Sequence, residues 1–220
     1  MKLAAVVPVK SLAHAKTRLS ARLSVQERAT LTLWLLHRVV AAIQAAGVVA
    51  DLALVSPDDT ALEAARAAGI VALPQVTGDL KAGLEQGRRW VHSVGAEAVL
   101  VLLGDLPLLA ADEVRGMAAM AQALAVTGAR TAARAGLAVL APDRAGTGTN
   151  GLLLWPPDGL PFAFGAGSFA RHLELARERG IASAVYHTPG MAFDIDRPED
   201  LDELRARGCW LPAQCGTVSA

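Results

Sequence analysis

The sequence predicts an α/β fold, and three observations carry that expectation. Short apolar runs, LAAVVPV (3–9), DLALVS (51–56) and AVLVLLG (98–104), are bounded by polar residues or glycine and read as strands buried on both faces. Long stretches of helical periodicity separate them, the alternation expected of a sheet covered by helices. The chain has 220 residues, which suits one domain with a sizeable core.

Taken in order, the first strand leads through a polar loop to a helix whose start is marked by Ser24 and Glu27, spaced as a capping box. Its periodic apolar stretch ends near Gly47. Helices also fit 58–68 and 78–94 after the second strand, and 110–126 after the third. The second half changes character. GLAVLAPDRAGTGTNGLLLWPPDG (136–159) has strand-like pieces around a Gly/Thr turn, followed by a helix near 168–179. Strand pieces near 182–187 and 191–195 precede a final helix near 198–207. This organisation divides the chain into a domain over 1–207 and a loose C-terminal tail over 208–220, with no repeat or low-complexity linker.

Hydrophobic residues make up 53% of the chain, charged residues 19% and aromatics 4%, so the core must be built mainly from Ala, Val and Leu. Twenty-one basic and twenty-one acidic residues cancel, which removes the electrostatic footprint of a general nucleic-acid or membrane-surface binder. An anionic ligand must therefore meet a local positive site. The two cysteines, Cys209 and Cys215, lie where a disulfide would staple a tail rather than frame a fold, which favours a reducing compartment. The apolar run 3–9 meets Pro8 and Lys10 too soon for a signal peptide, and His37 and Arg38 interrupt the longest apolar helix. The expectation is a cytoplasmic protein without membrane spans and without a nucleic-acid or membrane partner.

Several residues could carry chemistry. In open α/β sheets the ligand crevice lies outside the carboxyl ends of the strands, and Asp105 in VLVLLGDLPLL (99–109) sits at such an end. It could equally cap or break the strand before Pro107. In MAFDIDRPEDL (191–201), Asp194 and Asp196 alternate with Phe193 and Ile195, so an extended chain turns both carboxylates to one side. A divalent cation such as Mg²⁺ or Mn²⁺ would relieve their repulsion, while Asp196 could instead serve as the cap region of the helix begun by Pro198. PVKSLAHAKTRLS (8–20) offers Lys10, Lys16 and Arg18 with no acidic residue, as a polyphosphate site or a solvated basic loop. Without glycine it has neither a GxGxxG nor a Walker pattern, so side-chain cations would have to hold phosphate. GTGTNG (146–151) and FGAGSF (164–169) are glycine-bearing turns whose amides and hydroxyls can donate to anions, and Ser168 opens a helix. His14, His37, His92, His172 and His187 show no metal-ligand spacing, and no GxSxG elbow occurs.

Together, VPVKSLAHAKTRLS, LLGDLPLL, GTGTNGLLL, FGAGSFARH and FDIDRPEDL resemble the guanylyltransferases of deazaflavin coenzyme F-420 biosynthesis, which act on phosphoenolpyruvate or 2-phospho-L-lactate. The resemblance runs in order from about residue 3 to 204. It implies the nucleotide-diphospho-sugar transferase superfamily and its α/β/α sandwich with a mixed, mostly parallel sheet. It also implies GMP transfer from GTP to a three-carbon phospho-acid with release of pyrophosphate. On that basis Asp105, Asp194 and Asp196 would hold Mg²⁺, with Mn²⁺ an alternative, and Lys16 would join Asp105 in catalysis. Lys10, Lys16 and Arg18 would bind the nucleotide, and Thr149, Gly165 and Ser168 the acid. A homodimer is compatible with it. One position departs: Lys81 in DLKAGL (79–84) stands where an LNxAL-like stretch would have Asn.

Other readings stay open at this level. A non-catalytic GTP-binding protein could keep the same fold, although it has little need of three acidic positions and two acceptor turns together. Sugar-phosphate and molybdopterin nucleotidyltransferases usually begin with a glycine-rich loop, which VPVKSLAHAKTRL lacks. Phosphoenolpyruvate, 2-phospho-L-lactate and 3-phospho-D-glycerate differ by few atoms; phosphoenolpyruvate is the expected acceptor.

Overall fold

The computed structural model describes residues 1–75, 79–128 and 136–209. Its strands are β1 Leu3–Pro8, β2 Asp51–Ser56, β3 Val71–Pro74, β4 Ala98–Leu102, β5 Leu137–Pro142, β6 Thr149–Trp155 and β7 Ala182–Val185. They form one sheet in the order β3-β2-β1-β4-β6-β5-β7. Only β6 runs against its neighbours, pairing antiparallel with β4 and β5, so the sheet is mixed and mostly parallel. The helices are α1 Val25–Ala46, α2 Asp59–Ala67, α3 Leu80–Ser93, α4 Ala111–Gly128, α5 Ser168–Glu178, α6 Pro189–Ala192 and α7 Pro198–Ala206.

Every residue of β1, β4 and β5 is buried, because helices cover both faces of the sheet and each strand side chain finds apolar neighbours. Leu3, Ala5, Val7, Leu100 and Leu102 pack on one face with Val39 and Ile43 of α1, Leu62 of α2 and Met117 of α4. Ala4, Val6, Val99 and Val101 pack on the other with Leu84 and Val91 of α3 and Leu175 of α5. This is the three-layer α/β/α sandwich. Helix α3 approaches closely at Gly87, where a Cβ would lie 2.7 Å from a Val6 methyl. A side chain there would push the helix off the sheet.

The start of α1 is as expected: the Ser24 hydroxyl accepts from the Glu27 amide, and the Glu27 carboxylate accepts from the Ser24 amide. By length and composition α1 is the one described helix that could cross a membrane, yet half of its most apolar window is buried within this fold.

Two local readings are corrected. Residues 191–195 do not form a strand: Pro189 begins the short helix α6, which ends at Ala192. The extended segment that follows joins no ladder; the Ile195 amide donates to the Asp105 carbonyl at 3.3 Å. Proline preset at a helix start outweighs the apolar alternation. Conversely, β3 is a strand that the pattern did not reveal, because VALP is short, partly exposed and ends in proline at the sheet edge. The strand runs 3–9 and 98–104 end at Pro8 and Leu102, and the helix expected over 78–94 spans Leu80–Ser93, with residue 78 outside the described residues. Of the expected tail, 210–220 lie outside them too.

A third, smaller core positions the site. Leu19 and Leu23 from the loop after β1, Leu31 and Leu35 of α1, Phe193 and Ile195 before α7, and Leu201 and Leu204 within it bury one another. Burial at roughly 1.5–3 kcal/mol per large side chain therefore clamps the basic loop against the acidic segment.

Candidate active site

Beyond the carboxyl ends of β1 and β4, a solvent-accessible cavity of about 1190 Å³ is lined by all nine residues singled out from the sequence: Lys10, Lys16, Arg18, Asp105, Thr149, Gly165, Ser168, Asp194 and Asp196. It has two unlike sides.

One side is charged. Asp105 follows β4 directly, and Gly104 lets this turn approach β1, since a Cβ there would press on Val9 at 3.2 Å. Because Phe193 and Ile195 are drawn into the third core, Asp194 and Asp196 are left facing the cavity, as their alternation predicted. Carboxylate oxygens of Asp105, Asp194 and Asp196 all lie within 4.8 Å of one another. Asp196 does not cap α7; the Asp200 carboxylate accepts from the Asp196 and Arg197 amides instead, at 3.0 and 2.8 Å. The Lys16 ammonium donates to Asp105 at 2.5 Å and to Asp196 at 3.3 Å, and the Arg18 guanidinium donates to Asp196 at 3.1 Å.

Lys16 is held there by a demanding loop. Two single 3-10 turns, Leu12–His14 and Thr17–Leu19, flank it, and its own backbone is left-handed at φ 51°. A non-glycine residue in that region signals constraint by its surroundings. Those surroundings include Arg28, a buried cation whose guanidinium donates to the carbonyls of Ala15 at 3.1 Å and Leu23 at 3.0 Å. The Asp58 carboxylate accepts from the Leu12 amide at 2.9 Å.

The three carboxylates fit a divalent cation. Among the described residues, buried Asp105 Oδ1 finds no hydrogen-bond donor. Burial first, and then the Asp105 charge, push the Asp194 carboxyl up to about 6. Oxygen-only donors of this kind suit a hard cation. Desolvation alone would lower the Lys16 ammonium, but the charges of Asp105 and Asp196 outweigh it and hold its pKa above the usual lysine value.

The other side is neutral. Thr149 begins β6 and Ser168 begins α5; both are only 2% exposed. The GTGTNG turn is organised by Asp143, whose carboxylate accepts from the Thr147 amide at 2.8 Å, and a Cβ on Gly148 would sit 2.7 Å from that same carboxylate. In the second turn Gly165 has φ 130° and Gly167 φ 70°, conformations that disfavour a side chain. The Gly165 carbonyl accepts from the Ser168 amide at 3.1 Å. Helix α5 thus presents its first turn to the cavity, where an anion is favoured. Leu80 lines the cavity; Lys81, the departure noted above, is exposed and does not.

Sequence reasoning missed three residues. Asn150, 2% exposed, bridges the two sides by donating to the Met191 carbonyl at 3.0 Å and to Asp194 at 3.3 Å. Its signal was its place in GTGTNG, directly after the predicted acceptor threonine. Arg144 lines the cavity, stacks 4.5 Å from the Phe193 ring centroid and pairs with Glu203 at 2.9 Å. His172, wholly buried beneath the neutral side, closes the FGAGSFARH motif, but without a ligand spacing it was given no role.

With this geometry, the comparisons with known proteins are specific. The family model "Guanylyl transferase CofC like" matches residues 3–209. The chain belongs to this family. A phosphoenolpyruvate guanylyltransferase of Rubrobacter xylanophilus is 47% identical over 208 residues, covering 94% of this chain and 96% of that protein. A 2-phospho-L-lactate guanylyltransferase of Methanothermobacter thermautotrophicus is 33% identical, covering 94% of this chain and 86% of that protein. Among solved structures, a putative nucleotide-diphospho-sugar transferase from Desulfovibrio desulfuricans superposes with a TM-score of 0.70 at 17% identity, covering 99% of this chain and 92% of that one. At that identity the likeness concerns the fold, and it agrees with the α/β/α architecture described above.

Proposed function

We propose that the protein transfers GMP from GTP to phosphoenolpyruvate, forming enolpyruvoyl-diphospho-guanosine and releasing pyrophosphate, in coenzyme F-420 biosynthesis. The observation that carries this reading is the pairing, across one cavity, of three clustered carboxylates with cations against a neutral side of hydroxyls and a helix start. The strong identity to a phosphoenolpyruvate guanylyltransferase over nearly the whole chain supports it.

The reaction joins two polyanions, so the site must suppress their repulsion, align the acceptor oxygen with the α-phosphorus and stabilise the leaving pyrophosphate. Asp105, Asp194 and Asp196 would hold Mg²⁺ or Mn²⁺, which supplies charge neutralisation at the phosphates when bound. Lys10, Lys16 and Arg18 bind the triphosphate, with Lys16 exchanging carboxylate oxygens for phosphate oxygens of similar charge. Thr149, the backbone at Gly165 and Ser168 bind the carboxylate and phosphate of the acid. An acceptor oxygen of the phosphate attacks the α-phosphorus, the bond to the β-phosphate oxygen breaks, and pyrophosphate leaves with that electron pair. No general base is needed, because a phosphate monoester is already ionised near neutral pH.

Discrimination among acids then rests on shape. The planar methylene of phosphoenolpyruvate would fit a flat slot that a tetrahedral centre would crowd, a difference worth roughly 1–3 kcal/mol. Pyrophosphate release, measured with each of the four nucleoside triphosphates against phosphoenolpyruvate, 2-phospho-L-lactate and 3-phospho-D-glycerate, tests the proposal. GTP with phosphoenolpyruvate is expected to give the highest kcat/KM. A tenfold preference for 2-phospho-L-lactate would reassign the acceptor, and GTP binding without any release would make the protein a non-catalytic binder.

A further inference from the structure

His172 lies on α5 one turn after Ser168, and three pieces of the neutral side converge on its ring. The Ala163 amide donates to Nε2 at 3.0 Å, Nδ1 lies 3.1 Å from the Thr149 hydroxyl oxygen, and the Phe164 ring packs edge-on at 5.1 Å between centroids. The ring is 0% exposed.

Proton counting fixes the roles. A backbone amide can only donate, so Nε2 must offer its lone pair, and the ring proton must reside on Nδ1. Nδ1 therefore cannot accept from Thr149. Burial is the larger influence and keeps the ring neutral, lowering its pKa to about 4 against a hydrogen bond with the Ser168 backbone that raises it. A carbonyl one turn back only accepts, so with Nε2 taken by Ala163 it too calls for the proton on Nδ1. Among the described residues the ring is the one hydrogen-bond partner of the Thr149 hydroxyl, and that partner cannot take its hydrogen. The hydroxyl hydrogen is left for whatever occupies the cavity that Thr149 lines.

We propose that His172 is a positioning residue for the acceptor: its ring, fixed as the Nδ1–H tautomer by the Ala163 amide, holds the Thr149 hydroxyl and turns its hydrogen toward an oxygen of the phospho-acid. This rests on the reading that the neutral side of the cavity takes the acid. A histidine bonded the other way round would accept the Thr149 hydrogen, and the hydroxyl would then present only lone pairs to an anion. The fixed tautomer removes that alternative, and it does so without burying a charge beside the substrate.

The experiment has two arms. In the first, ¹⁵N NMR of the ligand-free protein, with the His172 signals assigned by their loss in His172→Gln, reads the ring directly. A protonated Nδ1 and an unprotonated Nε2 are expected, and a proton on Nε2 overturns the proposal whatever the protein catalyses. In the second, steady-state kinetics with GTP and phosphoenolpyruvate compare His172→Gln, which retains an acceptor for the Ala163 amide but loses the ring N–H, with Thr149→Val, Thr149→Ser and the double variant His172→Gln/Thr149→Val. His172→Gln is expected to raise the KM for phosphoenolpyruvate roughly threefold to tenfold, and Thr149→Val roughly tenfold or more. Thr149→Ser should restore it, the KM for GTP should stay within about twofold throughout, and the double variant should be no worse than Thr149→Val. Additive losses, or equal rises in both KM values, overturn the proposal in favour of a merely structural histidine. A wild-type protein that releases no pyrophosphate with any of the three acids, yet has the expected tautomer, overturns the proposed function and not the ring geometry.

Discussion

The two sides of the cavity are built on opposite principles. On the charged side, groups from separate parts of the chain hold one another by charge: Lys16 reaches Asp105 across 89 positions of sequence and Asp196 across 180. The hydrophobic core beneath brings the segments into register, and the Lys16 ammonium offsets part of the repulsion among the carboxylates. On the neutral side the groups assigned to the acid, Thr149, Gly165 and Ser168, carry no charge, and the Asp143 carboxylate beside them is engaged by Thr147. Thr149, Ser168 and the 163–167 backbone are aimed by hydrogen-bond directions and by glycine conformations around His172. Under the proposed function the contrast is a division of labour in a site for two polyanions: ions would neutralise one substrate, and fixed neutral donors would orient the other at little desolvation cost.

The largest expected effect breaks the charged side alone. Asp105→Asn or Asp194→Asn keeps the shape but removes a negative charge, and should lower turnover by about 10³-fold at low Mg²⁺ with the fold intact. Addition of Mn²⁺ should raise the melting temperature of the wild type and not that of either variant. Near-normal pyrophosphate release from either would remove these residues from the metal site.

The next effect sets the two sides against each other through pH. His172, ordinarily near 6.5, is depressed to about 4, so the unfolded chain binds the extra proton first, and its contribution is full above pH 6.5 and lost as pH falls toward 4. Asp194, raised from 3.8 to about 6, has the opposite sign: the folded state takes up the proton first, and stability is gained as pH falls through 6. Each amounts to about 2–3 kcal/mol at most, with the partly accessible Asp194 at the lower end because solvent screens it. Thermal melts in EDTA between pH 7 and pH 4 should therefore show these two contributions largely offsetting in the wild type. Relative to it, Asp194→Asn should lose more stability on acidification, and His172→Gln should lose less. Parallel pH profiles for all three would contradict the assigned protonation states.

Smaller still, Lys16→Ala should weaken GTP by about 1.5–3 kcal/mol, read as a KM roughly ten- to hundredfold higher, with much less change for the acid. The reverse pattern would exchange the two subsites. The mildest change, Ser168→Ala, should reduce use of phosphoenolpyruvate, 2-phospho-L-lactate and 3-phospho-D-glycerate together, by roughly threefold to tenfold in kcat/KM. Loss of one acid alone would mean that Ser168 reads the carbon skeleton rather than the shared anionic groups.

How far each side could be read from sequence follows from the same contrast. Asp105 was legible because a carboxylate directly after a buried apolar run marks a strand end, and Asp194 with Asp196 because period-2 alternation survives even where no ladder forms. The basic loop was legible by composition. Its strained centre was not, because the left-handed Lys16 is imposed by Arg28 and Asp58, which hold the loop from α1 and from the start of α2. β3 escaped because a short edge strand needs only half a pattern.

By itself the sequence determined an α/β sheet covered by helices, the capped start of α1, the place of Asp105 after a buried strand and the sign of each charged segment. These depend on local periodicity and on burial, which a linear pattern encodes. Only the tertiary structure decided that Lys16 lies among the carboxylates, that Asn150 joins the two sides, and that the His172 ring carries its proton on Nδ1. A hydrogen bond's direction depends on which donor packing brings to which acceptor, and here the deciding donor is the backbone amide of Ala163, a group every residue but proline possesses and no sequence pattern distinguishes.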